Sequence, residues 1–306
     1  KTSLPARPWT PRRATSKPPL TAALELESTI SSRKMKRVNV YLSALLLIAM
    51  LAFAQSAWAA TCTSLSAGNW NTAARWSCGR VPVAADTVVV AHNITLDVNP
   101  TVAGLTINAG KTLNDNGNGK DITVTGNVIN NGTYGVVGGG DLFMTGAGTT
   151  ISGTGLFIDT KLIIDASNIT LPAGSTMNFA SNAKTEVGAN VTPSSFILAG
   201  SITDVGQTAG KTILKVKKGS TATISGTVNA PSSFIDLDKN TTVTNNGTVN
   251  VQYLKGKDST SVWTQGANSN LTVTQTPAGK WLGTRNASAT GNTVTALTYY
   301  GARHAT

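Results

Sequence analysis

Residues 219–251 read GSTATISGTVNAPSSFIDLDKNTTVTNNGTVNV, and this stretch contains two copies of one pattern. Thr221-Ala-Thr223 and Gly226-Thr-Val-Asn229 return as Thr242-Val-Thr244 and Gly247-Thr-Val-Asn250. Every matched position moves by the same 21-residue offset, as from 221 to 242 and from 229 to 250. A repeat of about 20 residues, built from short β-branched runs and Gly/Asn corners, is typical of one coil of a β-solenoid.

The alternation within each copy predicts which side chains face the core. Successive residues of a strand point to opposite faces, and neighbouring strands lie about 4.8 Å apart. Val228 and Val249 should therefore stack as an inward row. Thr223 and Thr244 should stack as an outward row.

The corners of the repeat are predicted from their Gly and Asn residues. We expect Asn229 and Asn250 to form an amide ladder at a bend, where it can satisfy backbone groups. The glycines of the two copies suit corners because they accept backbone angles that β-branched residues resist. One position fits poorly, since Ile224 aligns with Asn245 at an inward site.

The rest of the chain after residue 59 has the same composition. Thr, Asn, Gly, Ser and Val dominate, and Glu186 is the only glutamate there, which excludes a helix bundle and disfavours an α/β sheet. Residues 271–274 (LTVT) and 292–295 (NTVT) repeat the 21-residue offset. We predict an all-β fold, a single-stranded right-handed parallel β-helix with about 20–21 residues a coil over residues 96–306, and roughly ten coils. We also expect the chain to be a piece of a longer protein.

The chain before residue 60 differs from the remainder. Residues 1–34 are rich in Pro and Arg, and we expect them to be disordered or to lie upstream of the true start. A basic run at 33–37, an apolar run at 40–54 and Ala-Trp-Ala at 57–59 follow. Residues 35–59 thus form a predicted secretory signal peptide, with an uncleaved anchor as the alternative. The predicted location is secreted or at the outer cell surface.

The high net charge of +11 depends on this leading segment. Nine of the 25 Lys/Arg and two of the 14 Asp/Glu precede residue 60, which leaves 16 against 12, or +4. A nucleic-acid partner is therefore not expected.

The predicted mature chain opens with two cysteines and two tryptophans, Cys62, Trp70, Trp76 and Cys78. We interpret residues 60–95 as an N-terminal cap in which aromatic side chains cover the first coil. In an exported protein two cysteines are expected to pair, which would contribute about 3 kcal/mol in the chain-entropy treatment. Two free buried thiols are the alternative.

The same opening resembles a group of secreted bacterial surface proteins. The resemblance is carried by Gly68-Asn-Trp70, Trp76-Ser-Cys78-Gly-Arg-Val-Pro82, Asp86-Thr-Val-Val and Leu105-Thr-Ile-Asn-Ala-Gly110. It is similar to the MshQ-type proteins associated with the mannose-sensitive haemagglutinin pilus, and to adhesin-like β-helix proteins in general. The resemblance is strongest over residues 60–135, and it implies surface display with no catalytic motif to carry over.

Asp236 and Asp238 are the strongest candidates for chemistry. They lie two positions apart, so both carboxylates should project from one face of a strand. Paired carboxylates serve polysaccharide-cleaving enzymes as general acid and base. The aligned position of Asp238 one coil later is Ser259, and a solvated outer face is the simpler interpretation.

The two histidines give no comparable signal. His92 follows an apolar run, which is typical of a strand end or corner, and His304 lies near the C-terminus. With both cysteines expected in a disulfide, no metal-ligand spacing remains, and we predict neither metal nor cofactor.

Regular Thr-x-Thr runs offer a third interpretation, an ice-binding solenoid. The runs are 123/125, 221/223, 242/244, 272/274 and 293/295. Outward threonine rows on a flat face can match an ice lattice. The runs are unevenly spaced, however, and Thr is also a common strand residue.

Aromatic residues gather in the last quarter of the chain: Tyr253, Trp263, Trp281, Tyr299 and Tyr300. If exposed, they would form a platform for sugars, and if buried, they would fill a widening end of the solenoid. The sequence thus favours a non-catalytic, adhesin-like display module that binds glycan or a surface protein. The alternatives are a polysaccharide lyase or hydrolase and an ice-binding solenoid.

Overall fold

The computed structural model describes residues 59–136, 139–188, 193–257 and 260–274, and the backbone of residues 293–296. These residues form 27 short strands and one 3-10 helix, Ala73–Arg75. In chain order the strands are β1 Thr61–Thr63, β2 Gly68–Asn69, β3 Thr87–Val90, β4 Ile94–Thr95, β5 Thr101–Val102, β6 Gly104–Ile107, β7 Thr112–Asn114, β8 Ile122–Val124, β9 Val128–Asn130, β10 Thr133–Tyr134, β11 Leu142–Met144, β12 Ile151–Ser152, β13 Leu156–Ile158, β14 Lys161–Ile164, β15 Ile169–Leu171, β16 Thr176–Ser181, β17 Lys184–Val187, β18 Ser195–Leu198, β19 Ser201–Gln207, β20 Lys211–Val216, β21 Thr221–Ile224, β22 Thr227–Leu237, β23 Thr242–Asn245, β24 Thr248–Gly256, β25 Val262–Gln265, β26 Asn270–Val273 and β27 Thr293–Ala296.

Strands at equivalent places in successive coils pair in parallel and make three faces. Face A consists of β1, β3, β6, β9, β12, β15, β18, β21, β23 and β25, two five-stranded sheets linked by a Thr150–Thr170 bridge. Face B consists of β2, β4, β7, β10, β13, β16, β19, the first parts of β22 and β24, β26 and β27. Face C consists of β5, β8, β11, β14, β17, β20 and the second parts of β22 and β24. The described residues therefore form a parallel β-solenoid of about nine turns, which confirms the predicted fold class. Its right-handed winding stays an expectation from the handedness of parallel crossovers.

The predicted 21-residue register is confirmed where it was proposed. Val243 pairs with Ala222 on face A, and Val249 pairs with Val228 on face B, all four side chains being buried. Elsewhere the step varies, being shorter from Val88 to Leu105 and longer from Val187 to Val216. Coil length varies because loops of different size leave the corners while the paired strands stay in register.

The interior is a continuous column of apolar side chains. On face B the rings of Tyr134, Phe157 and Phe179 stack in successive coils, with centroids 6.2 and 5.3 Å apart. On face C the inward row includes Met144 and Ile164. Such rows bury apolar area between neighbouring coils, which is the main stabilising contribution in a solenoid.

The first coil is already part of this column. Strand β1 pairs in parallel with β3, so the segment 60–95, predicted as the cap region of the solenoid, already contains stacked parallel strands. Cys62 and Cys78 form the predicted disulfide, with Cα atoms 5.1 Å apart. Trp70 and Trp76 are both buried, pack edge to face at 4.8 Å and fill this coil.

Two features predicted at the corners differ in the structure. The Asn ladder lies at another position, and the glycines are required for another reason. Asn229 and Asn250 do form an amide ladder, in which Nδ2 of Asn250 donates to Oδ1 of Asn229 at 3.0 Å, but on the outer side of face B rather than at a bend. Gly226 and Gly247 do not have positive φ. A Cβ on Gly247 would overlap the carbonyl oxygen of Gly226, so close coil approach requires these glycines.

The inward Asn245 is accommodated by hydrogen bonds. Its Nδ2 donates to Oε1 of Gln265 at 3.2 Å and to the carbonyl oxygen of Asn270 at 3.0 Å. Its Oδ1 accepts from the N–H of Gly247 at 3.0 Å. Because both ends of the amide have partners, the buried side chain does not carry a full desolvation penalty.

The 21-residue offset predicted between residues 271–274 and 292–295 was wrong. Strand β26 pairs with β27 so that Leu271 lies beside Val294 and Thr272 beside Thr295, a longer step than the 21-residue offset predicts. The sequence match had placed Leu271 beside Asn292 instead. Matching the two runs by sequence therefore misplaced the strands by two positions.

Candidate functional site

At one register position on the outer side of face C, four consecutive coils each carry a charged residue. We call this set the charged row: Glu186, Lys215, Asp236 and Lys255. The sign of the charge alternates from coil to coil. Because paired strands lie about 4.8 Å apart, the alternation places opposite charges side by side.

Glu186 makes the shortest contacts of the charged row. Its Oε1 lies 3.0 Å from Nζ of Lys184 and its Oε2 lies 2.9 Å from Nζ of Lys217. Burial raises the pKa of Glu186, but the hydrogen bonds from Lys217 and Lys184 outweigh it, and the pKa lies below its ordinary value. The carboxylate is thus held in its ionised form by two lysines.

The two predicted catalytic candidates lie on the same outer face, as their spacing indicated. Asp236 has Nζ of Lys215 at 3.8 Å and Nζ of Lys255 at 3.9 Å, and Asp238 has Nζ of Lys257 at 3.0 Å. Burial raises the pKa of Asp238, but the N–H of Lys239 and the Lys257 ammonium outweigh it and lower the pKa. A lowered pKa suits an ion-pair partner better than a proton donor.

The neighbour of Asp238 in the next coil differs from the predicted Ser259. On face C the step from Asp236 leads to Lys255 and is shorter than the 21-residue repeat, because the register shifts between Ala230 and Phe234. This shift brings Lys257 to Asp238. A sequence alignment at the fixed offset could not show this pairing.

The charged row ends at Glu186, whose counterpart in the preceding coil is Ile163, but other paired charges lie nearer the N-terminus. Nζ of Lys161 lies 2.7 Å from Oδ2 of Asp141, and this hydrogen bond raises the pKa of Lys161. Lys161 is also in register with Lys184, two like charges, each of which has its own acidic partner. Face C is thus a network of paired charges.

The structure places the residues of the predicted aromatic platform in different environments. Trp263 is fully buried, and its Nε1 donates to Oε1 of Gln265 at 3.1 Å, so its ring belongs to the core. Tyr253 is half-buried and stacks on Phe234 with centroids 4.5 Å apart. Burial, and then the charge of Asp236, raise the pKa of Tyr253. Trp281, Tyr299 and Tyr300 lie outside the described residues.

The predicted Thr-x-Thr runs do not share one face. The run 221/223 stacks on 242/244 in face A. Thr123 lies on face C, whereas Thr272 pairs with Thr295 on face B. The five runs therefore do not make a single threonine array.

The sequence did not predict the ion pair between Arg80 and the buried Asp86. Asp86 is fully buried and accepts hydrogen bonds from both Nη atoms of Arg80 and from the N–H groups of Val83 and Ala60. Burial raises the pKa of Asp86, but these hydrogen bonds outweigh it and lower the pKa. The available signal was a lone aspartate directly before the apolar strand Thr87–Val90.

The remaining candidate side chains are the two histidines and any group of metal ligands. His92 follows β3, and its Nδ1 lies 2.8 Å from the carbonyl oxygen of Ser64, which fits a corner residue. Within the described ranges, no three His, Cys, Asp or Glu side chains gather into a metal-binding cluster. His304 lies outside these ranges.

Comparisons with known proteins give no relative. No family model matches the chain, and there is no significant match among curated proteins or among solved structures. Among the described residues, no helix has the length and apolar character needed to span a membrane.

Proposed function

We propose that this chain is an exported module that displays a stiff β-solenoid at the cell surface and binds glycan or a surface protein without catalysis of its own. The observation that carries the proposal is the stacking of outward side chains in register along faces that run over many coils. Such faces can offer the same groups repeatedly to an extended partner, as in other solenoid proteins.

Export is supported by two features. The segment at 35–59 has the pattern of a signal peptide. The Cys62–Cys78 disulfide lies in the first coil, and disulfides persist in oxidising compartments.

The alternative of a polysaccharide lyase or hydrolase would use Asp236 and Asp238. Both carboxylates have lysine partners on the next coil, at 3.9 and 3.0 Å. For Asp238, whose pKa is lowered by its backbone and Lys257 hydrogen bonds, this arrangement favours a structural role, because such a carboxylate is a poor general acid.

A glycan-array screen beside an assay for reducing ends and unsaturated products tests the proposal. We expect binding without product, and Asp236→Ala should leave binding unchanged. Product formation that Asp236→Ala abolishes would establish the enzyme instead. N-terminal sequencing of the secreted protein should start near Ala60, and a mature protein that retains Lys1 would contradict export by this signal.

A further inference from the structure

The outer side of face B carries two neutral rows that the sequence analysis did not recognise. In five consecutive coils, two outward positions are occupied only by Thr, Ser or Asn, and we call these the Thr/Asn rows. The first row is Thr176, Ser201, Thr227, Thr248 and Asn270, and the second is Asn178, Thr203, Asn229, Asn250 and Thr272.

The register of the Thr/Asn rows is uninterrupted. Each residue pairs directly with its counterpart in the next coil, and the register shifts in β16 and β22 lie beyond the rows, after Phe179 and Ala230. None of the ten side chains is buried. Coils about 4.8 Å apart and alternate residues about 6.7 Å apart give an array with two regular repeats.

The array is held rigid before any partner arrives. Threonine has few χ1 rotamers because it is β-branched. The amide of Asn250 donates to Asn229 at 3.0 Å, and the amide of Asn178 donates to the carbonyl oxygen of Thr154 at 2.9 Å. Little side-chain entropy is therefore lost on binding.

We propose that the Thr/Asn rows are an ice-binding surface. An ice crystal exposes hydrogen-bonding oxygens at fixed repeats in two directions, and a rigid array with fixed repeats in two directions can contact many of them at once. One hydroxyl contributes little in water, so the periodic arrangement of the ten groups is what makes binding effective. This inference does not depend on glycan binding.

Two properties of the rows favour ice over a glycan. None of the ten side chains is aromatic, whereas sugar-binding surfaces commonly use ring stacking. None is charged, so no tightly held hydration shell must be removed from an ammonium or carboxylate. The threonine methyl groups add apolar contacts between the hydroxyls.

The test compares two substitutions in the same coil. Thr248 lies exposed in the Thr/Asn rows, and Thr242 lies exposed on face A as the matched control. Purified wild-type chain, Thr248→Tyr and Thr242→Tyr are frozen slowly, and their partition into ice and their inhibition of ice recrystallisation are measured. We expect activity in the wild type and in Thr242→Tyr, and its loss in Thr248→Tyr, because a protruding ring prevents close approach of a flat lattice.

A second position and a second ligand keep the result unambiguous. Asn229→Tyr should lose activity like Thr248→Tyr, with unchanged circular dichroism and thermal midpoint showing that both variants fold. A wild-type chain that is excluded from ice, or equal loss in Thr242→Tyr and Thr248→Tyr, would overturn the proposal. Retention on cellulose or chitin that is kept or strengthened by Thr248→Tyr, without ice activity, would assign the rows to glycan.

Discussion

Faces B and C share the two long strands β22 and β24, yet their outer surfaces have opposite chemistry. Strand β22 supplies the neutral Thr227 and Asn229 to face B and the charged Asp236 to face C. Identical neutral groups can stack coil on coil, as Asn250 on Asn229 shows. Charged groups must alternate in sign or find partners beside them, because like charges at strand spacing repel.

The comparison teaches that core and surface are independent in this fold. The inward rows fix the stack, and each outer row then follows its own rule. Face B has a pattern that suits a repeating external partner, whereas face C satisfies its charges internally. Substitutions that disturb one face should therefore leave the other largely intact.

The largest effect should come from breaking the corner that both copies of the repeat share. Gly247→Val places a side chain against the carbonyl oxygen of Gly226, so we expect a loss of about 3 kcal/mol in the free energy of unfolding. Denaturant unfolding measures it. Gly119→Asn is the control, since Gly119 has open space and a φ of +62° that Asn tolerates. Equal losses in both variants would contradict the close-approach explanation.

A smaller effect should follow from opening the charge network of face C. Glu186→Gln leaves Lys184 and Lys217 without their shared carboxylate, and we expect a loss of about 2 kcal/mol. Asp236→Asn should cost about 0.5 kcal/mol, because its lysine contacts are longer and more exposed. Denaturant unfolding of both variants gives the comparison, and a larger loss for Asp236→Asn would contradict it.

The contribution of Glu186 has a defined pH dependence. Its folded pKa is lowered from the ordinary 4.5, so the stabilisation is fully present above pH 4.5 and is lost as the pH falls through the folded value. The difference between wild type and Glu186→Gln should be constant at neutral pH and shrink below pH 4.5. A difference that grows on acidification would show that the sign is wrong.

The smallest effect should be the coupling within the neutral rows. A double-mutant cycle with Asn229→Ala and Asn250→Ala should give a coupling free energy of about 0.5 kcal/mol, because the hydrogen bond between the two side-chain amides is solvent-accessible. The same cycle in high salt should give the same value. A coupling that falls with salt would mean that charges, and not the amide ladder, connect the two positions.

The fold was predictable from sequence because the signals of the repeat lie within short stretches of the chain. Alternation and a constant offset sufficed to place Val228 against Val249 and to predict the parallel stack. The first-coil disulfide followed from the cysteine count and from the export that the sequence predicts. These inferences needed no knowledge of loop geometry.

The outer surface was less predictable because it depends on coil length. A register shift after Ala230 shortens the step on face C and gives Asp238 the partner Lys257. The Thr/Asn rows also include longer steps, from Thr176 to Ser201 and from Ser201 to Thr227, which a fixed offset cannot align. Likewise, the fit of the buried Asn245 depends on Gln265 in the following coil.

The in-register step from residues 221–229 to 242–250 also bears on how such a chain can change in length. Each coil pairs with its two neighbours, so duplication of one such segment can add a layer that repeats the same in-register pairing. Six of the nine positions in these two segments are identical, which fits such a duplication. Adding whole coils would lengthen the neutral surface of face B and the charged surface of face C in proportion. A longer chain would therefore present more outward groups over a greater distance.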